Sequence, residues 1–134
     1  MDAMTKPPAF TVPAALREVV ARHGGLSLVV LFGSRAQQRG SDRSDWDLGF
    51  LAEGPVDRDQ LLADISVALG TDAVDLVDLA RAGGLVRFRA ARDAVLVHKA
   101  AAGVFERFWL EAVRFWCDAE AMLTRAYDGV LADL

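Results

Sequence analysis

The spacing of apolar residues along the chain alternates between helix-like and strand-like patterns. Apolar residues that recur every three or four positions predict helices, and shorter apolar runs bounded by turn residues predict strands. Helices are predicted at 14–24, directly after residue 33, and at 57–69, 83–92 and 102–128. Strands are predicted at 26–32, from residue 45, and at 74–79 and 94–98. The chain is therefore predicted to alternate between helices and strands throughout.

The whole chain, residues 1–134, is expected to form a single domain. A chain of 134 residues can bury one sizeable core but has little room for a second. Neither an internal repeat nor a linker-like stretch interrupts the pattern. Residues 1–12 are expected to be a loose lead-in, and residues 102–128 a long C-terminal helix.

Composition and net charge limit the partners and the location that are expected for the protein. The net charge of −4 argues against binding nucleic acid through the whole surface, and no direct nucleic-acid partner is expected. Cys117 is the single cysteine, so an internal disulfide is excluded and a cytoplasmic location is expected. No stretch approaches the roughly 18–20 apolar residues of a membrane span. Residues 1–13 lack the apolar run of a signal peptide.

The candidate chemistry lies in residues 28–50, where two apolar runs flank a polar segment. A strand that turns into a helix at Gly33 presents free backbone N–H groups, which favour a phosphate. Ser34 adds a hydroxyl, and with Gln37 it fits the capping box that begins a short helix. For these residues alone, a plain turn followed by a helix cap is the simpler interpretation.

Two aspartates open the next predicted strand. Asp45 and Asp47 are two positions apart, so on a strand they project to the same side, about 6–7 Å apart along the chain. Such carboxylates can share one Mg²⁺ ion or bridge two ions, whereas a solvated edge strand is the alternative interpretation. Asp75 and Asp78 are candidates for a third acid. Because their positions differ in parity, periodicity does not choose between them.

Three arginines follow the turn at Gly33. Arg35, Arg39 and Arg43 either neutralise a triphosphate or are ordinary surface charges. Arg35 is the preferred candidate for a phosphate ligand because it lies in the first turn after Gly33.

Together these residues resemble the signature of the DNA polymerase β-like nucleotidyltransferase superfamily. The segments that carry the resemblance are 31–36, 44–48 and 74–79. The short chain is similar in particular to the minimal nucleotidyltransferase (MNT) antitoxins. It departs from the family pattern at Gln38, where many relatives have a glycine; the glycine of this chain is Gly40.

The resemblance implies an α/β (α+β) fold with a small mixed sheet, flanking helices and a long C-terminal helix. It also implies that AMP is transferred from ATP with Mg²⁺ as cofactor. By position, Asp45, Asp47 and Asp75 would be the catalytic acids and the metal ligands. The residues that would bind the nucleotide are Gly33, Ser34, Arg35 and Ser44.

The resemblance also implies a partner, a HEPN-domain ribonuclease toxin that is silenced when AMP is added to a tyrosine hydroxyl. The protein would then act as a type VII-like antitoxin. Two alternatives remain open, an antitoxin that acts by binding alone and a nucleotidyltransferase for a small molecule such as an aminoglycoside. The second usually requires an extra substrate-binding domain. A neighbouring gene for a small, all-helical protein would favour a toxin partner.

The predicted C-terminal helix is unusually rich in aromatic residues. These are Phe105, Phe108, Trp109, Phe115 and Trp116. Most of them are expected to pack on the core of the domain. Phe115 lies off the main stripe, however, and a wide apolar arc is typical of a helix that binds a partner or a second copy of the chain. A homo- or hetero-oligomer formed through this helix is therefore a further expectation.

Overall fold

In the computed structural model, which describes residues 11–36 and 45–133, helices and strands alternate along the chain. The helices are α1 (Ala14–Ala21), α2 (Gly33–Ala36), α3 (Arg58–Leu69), α4 (Gly84–Asp93) and α5 (Val104–Ala132). The strands are β1 (Leu26–Phe32), β2 (Trp46–Ala52), β3 (Val74–Asp78) and β4 (Val95–Lys99). The predicted order of elements is confirmed, and only the boundaries move by a few residues.

The four strands form one mixed sheet in the order β3-β2-β1-β4. β1 is antiparallel to both β2 and β4, whereas β2 and β3 are parallel and are joined through α3. In this register Asp47 on β2 lies opposite Phe32 on one side and opposite Asp75 on the other. The end of β1 therefore meets the beginnings of β2 and β3 at one edge of the sheet.

Helices cover both faces of the sheet. α1 and α3 pack on one face through the buried residues Leu16, Val19, Val20, Leu61 and Ile65. α4 and α5 pack on the other face through Ala90, Ala91, Phe108 and Ala112. Burying one Val or Leu side chain stabilises a fold by about 1.5–3 kcal/mol. β1 contributes fully buried side chains to both cores, as its nearly unbroken apolar sequence predicts.

Local chemistry sets the two ends of α3, the helix that connects β2 to β3. The side chain of Asp57 caps the first turn, where it accepts a hydrogen bond from the backbone N–H of Gln60 at 3.0 Å. Gly70 ends the helix in the left-handed conformation, with φ of 69°. These ends were predicted at the same positions, and they fix where β3 begins.

Only part of α5 packs on the domain. Phe108 is buried, Phe105 is partly buried, and Trp116 stacks on Phe88 of α4 with 5.4 Å between the ring centroids. Trp109 and Phe115 are 41% and 61% exposed. Three of the five aromatic residues therefore pack on the domain, as expected for most of them, and Phe115, which lies off the main stripe, is exposed.

The C-terminal part of α5 carries an apolar surface that the domain does not cover. We call it the distal α5 face, and its exposed residues are Met122, Leu123, Tyr127, Val130 and Leu131. Every residue from 120 to 133 is exposed. None of the described helices is long and apolar enough to cross a membrane.

Candidate active site

The turn after β1 brings the backbone against an aspartate. Gly33 has a positive φ of 78°, a conformation that side chains rarely allow, and it begins the short helix α2. A Cβ atom at this position would collide with the carboxylate of Asp47. The backbone conformation at position 33 thus favours glycine, and a side chain there would also have to displace the carboxylate of Asp47.

Asp47 and Asp75 are neighbours on the parallel strands β2 and β3. The structure therefore distinguishes the two candidates for the third acid. Asp78 lies opposite Phe50 at the other end of β3. Its carboxylate accepts a hydrogen bond from the backbone N–H of Ala80 at 3.0 Å and lies 3.8 Å from the guanidinium of Arg81. Asp78 belongs to the turn after β3, and Asp75 belongs to the group around Asp47.

The carboxylate of Asp47 is partly buried and lies near the negative charges of two other aspartates. Burial raises the pKa of Asp47 above its ordinary value, and the negative charges of Asp75 and Asp45 raise it further. Asp45 is exposed and lies directly before β2. The negative charge of Asp45 therefore raises the pKa of Asp47, although Asp45 is exposed and Asp47 is partly buried.

A cleft of about 280 Å³ opens at this edge of the sheet. Its lining combines the end of β1, the acids of β2 and β3, and one side of α4. The lining residues are Phe32, Gly33, Asp47, Asp75, Val77, Val86, Arg89 and Asp93. Within the described ranges, Ser34, Arg35 and Asp45 do not line the cleft. Ser44, Arg39 and Arg43 lie outside the described residues, as does Gln37, the second member of the proposed capping box.

Arg35, the cation that the sequence favours for a phosphate, is placed elsewhere. Its guanidinium lies over the ring of Trp46, 4.4 Å from the ring centroid, in cation–π geometry. Trp46 packs in the core that α1 and α3 share with the sheet, whereas Asp47, the next residue, lines the cleft on the opposite face. In this structure the guanidinium of Arg35 therefore lies above Trp46, and Arg35 is not among the residues that line the cleft.

The wall contributed by α4 was not predicted from the sequence. Val86, Arg89 and Asp93 line the cleft, and their spacings of three and four residues place them on one side of the helix. The side chain of Asp93 is only 9% exposed, and both of its oxygens accept hydrogen bonds from Arg92, at 2.8 and 3.1 Å. The sequence spacing indicates that these residues share one side of the helix, but it does not indicate which side of α4 faces the cleft.

The donor set at the cleft suits a hard divalent cation, because Mg²⁺ prefers carboxylate oxygens. Asp47 and Asp75 supply a pair of carboxylates on adjacent strands, and a cation between them would relieve the repulsion that raises the pKa of Asp47. Within residues 11–36 and 45–133, no group of three or more acids, histidines or cysteines is close enough to hold an ion. The structure thus supplies two candidate ligands at the cleft and a third acid, Asp45, beside them.

The sequence also matches a known family over most of this domain. The model described as "Polymerase beta, Nucleotidyltransferase" matches residues 15–101, more than half of the chain. The chain belongs to this nucleotidyltransferase family. The resemblance found in the sequence is confirmed, and so is the expected fold, a mixed sheet with flanking helices. The matched range contains the acids of the cleft and Arg89 but ends before α5.

Several solved structures that resemble this chain are chains of toxin–antitoxin complexes. A chain of a toxin–antitoxin crystallised with AMP-PNP is 24% identical with a TM-score of 0.70, and the match covers 87% of this chain and 96% of that one. A chain of a mutant MntA-HpeT toxin–antitoxin is 26% identical with a TM-score of 0.65, covering 84% and 91%. A third comes from a tri-AMPylated Shewanella oneidensis HEPN toxin in complex with MNT antitoxin, at 24% identity, a TM-score of 0.59, and coverage of 87% and 90%. No curated protein matches the sequence.

Proposed function

We propose that this nucleotidyltransferase uses Mg²⁺ to transfer AMP from ATP to a tyrosine hydroxyl of a cognate HEPN ribonuclease toxin, and so acts as its antitoxin. The observation that carries the proposal is the pairing of Asp47 and Asp75 beside the Gly33 turn in one cleft. Paired carboxylates suit a metal ion, and a close-approach glycine turn suits a phosphate chain. Nucleotidyl transfer requires both a bound metal ion and a bound phosphate chain.

Asp47 and Asp75 would hold the metal ion, with Asp45 as a third ligand from the start of β2. When bound, Mg²⁺ would neutralise charge on the phosphates and make the α-phosphorus easier to attack. The backbone of Gly33 and Ser34 would donate hydrogen bonds to the β- and γ-phosphates. Most of the catalysis would come from positioning and charge neutralisation, because nucleotidyl transfer requires little covalent chemistry from the protein.

The transfer itself is a displacement at the α-phosphorus. The acceptor hydroxyl oxygen forms a bond to that phosphorus, the bond to the bridging oxygen breaks, and pyrophosphate leaves. The proton of the hydroxyl passes to a base in the cleft. Asp75 is the candidate for this base because it lines the cleft and is exposed.

The choice of a toxin as the acceptor is supported by two observations. The MntA-HpeT complex, at 26% identity, is a toxin–antitoxin assembly, and a chain of similar fold is part of a complex with an AMPylated HEPN toxin. The distal α5 face offers a large exposed apolar surface, which is typical of a protein that binds another protein. Transfer to a bound protein partner accounts for both the cleft and this surface.

An antitoxin that only binds its toxin is the second candidate function. The distal α5 face favours it, because binding through this surface requires no chemistry at the cleft. The two functions differ in what happens to ATP.

Labelled ATP separates these functions. The neighbouring-gene toxin would be incubated with the protein and Mg²⁺, together with ATP labelled at either the α- or the γ-phosphate. Nucleotidyl transfer predicts that the α-label alone becomes attached to the toxin and that chelation of Mg²⁺ prevents it. Absence of α-label from the toxin, with a stable complex still formed, would exclude transfer and leave binding alone.

A further inference from the structure

The described lining of the cleft carries more negatively than positively charged side chains. Three carboxylates line it, those of Asp47, Asp75 and Asp93, whereas a triphosphate adds several further negative charges. A metal ion held by two of the acids offsets part of this charge. Recognition of the phosphate chain therefore calls for a cation of the protein at the cleft.

Arg89 is the cation among the described lining residues. It lines the cleft from α4 together with Val86 and Asp93, and the Gly33 turn lines the same cleft. Its side chain is exposed, and within the described part of the chain it makes no hydrogen bond or ion pair. Its guanidinium is thus available to a ligand in the cleft.

The neighbours of Arg89 on α4 are occupied with other contacts. Arg92 donates two hydrogen bonds to Asp93, so the carboxylate closest along the helix already has a cation of its own. Arg87 donates a hydrogen bond to the carbonyl oxygen of Leu79 at 2.8 Å and lies 3.9 Å from the carboxylate of Glu111. Arg87 and Arg92 thus already have partners within the protein, whereas Arg89 lines the cleft.

We propose that Arg89 binds the phosphate chain of the nucleoside triphosphate, from the α4 side of the cleft. This inference rests on the proposed function and adds a nucleotide ligand that the sequence motif does not contain. A guanidinium can donate two parallel hydrogen bonds to phosphate oxygens. The apolar side chains of Val77 and Val86 belong to the same lining and offer no competing hydrogen bonds to the phosphate chain.

The test is the affinity of the full-length chain for ATP and for adenosine, measured by calorimetry with Mg²⁺. The substitution Arg89→Ala is expected to weaken ATP binding about 10- to 100-fold, the loss typical of charge-assisted hydrogen bonds. Adenosine binding should be unchanged, because adenosine has no phosphate. Arg89→Lys should restore only part of the ATP affinity, since lysine keeps the charge but loses the paired geometry. Arg22→Ala, an exposed arginine on the opposite helix layer, is the matched control and should bind ATP normally.

Several outcomes would overturn the inference. Unchanged ATP affinity in Arg89→Ala would exclude a contact between Arg89 and the phosphates. This would hold even if the KM of the variant for the toxin rose. An equal loss of ATP and adenosine binding, with the thermal midpoint unchanged, would place the contribution of Arg89 at the nucleoside rather than at the phosphates and would also overturn the inference. A failure of the proposed function looks different, because the unsubstituted protein would then neither bind ATP nor label the toxin.

Discussion

At the scale of single residues, Asp47 connects the stability of this protein with its chemistry. Its carboxylate is partly buried beside Asp75 and Asp45, and these surroundings raise its pKa. Without a metal ion, its ionised form is therefore less favourable in the folded chain than in the unfolded chain. A raised pKa in the folded state contributes stability at low pH, and that stability is lost as the pH rises through the folded pKa.

This sign leads to a prediction for Asp47→Asn. In buffer with EDTA at pH 7, the variant should have a higher thermal midpoint than the unsubstituted protein, because it removes a disfavoured charge. The difference should shrink as the pH falls through the raised pKa of Asp47 and should vanish below the ordinary aspartate value of 3.8, where the aspartate is protonated in both states. AMP transfer by the variant should fall by roughly 100-fold or more. Thermal melts across pH and a transfer assay measure the two effects.

Asp78→Asn is the matched control for that variant. Asp78 accepts a hydrogen bond from the N–H of Ala80 and pairs with Arg81, so its substitution should lower the thermal midpoint slightly and leave transfer intact. A lower midpoint for Asp47→Asn at pH 7 without metal would contradict the electrostatic account of Asp47.

At the scale of secondary-structure elements, α5 has two parts with different environments. Its first part packs on α4 and the sheet through Phe108, Ala112 and Trp116. Its second part leaves the distal α5 face exposed. Because apolar side chains on this face contribute nothing to the domain's own core, their expected role is to contact a protein partner.

A double substitution on the distal α5 face tests this role. Leu123 and Tyr127 are 68% and 66% exposed, so changing both to glutamine should alter the stability of the isolated chain by less than about 1 kcal/mol. The affinity for the toxin should fall by tenfold or more, because exposed apolar and aromatic residues dominate such interfaces. Calorimetry with the purified toxin measures the affinity, and chemical denaturation measures the stability.

Val67→Gln provides the comparison for this experiment. Val67 is 82% exposed on α3, in the helix layer across the sheet from α5. Its substitution should leave toxin binding unchanged. Equal toxin affinity for the double variant and the unsubstituted protein would show that the distal α5 face is not the contact surface.

At the scale of the whole molecule, the sequence predicts most of the fold because its apolar pattern is strong and its turns are well marked. β1 is apolar along nearly its whole length, and Asp57 and Gly70 mark the ends of α3. The choice between Asp75 and Asp78 required the pairing register of β2 with β3. That register depends on contacts between distant segments, which periodicity along one strand does not contain.

The limits of prediction at the cleft have the same cause. Which side of α4 faces Asp47 depends on how Ala90 and Ala91 pack in the core, so Arg89 was not predicted as a cleft residue. Arg35 was favoured because it follows Gly33 in the sequence, yet the aromatic face of Trp46 positions its guanidinium elsewhere. In both cases tertiary packing, rather than sequence distance, decides which charge meets the acids.

In the proposed mechanism, Asp47 and Asp75 are both required for the transfer of AMP to a toxin partner. The most direct measurement is the intact mass of the toxin after incubation with ATP, Mg²⁺ and each of four proteins: the unsubstituted chain, Asp47→Asn, Asp75→Asn and Asp78→Asn. We expect a gain of one or more AMP units with the unsubstituted chain and with Asp78→Asn, and no gain with the other two. Equal gains with Asp47→Asn, or no gain with the unsubstituted chain in a stable complex, would contradict the account.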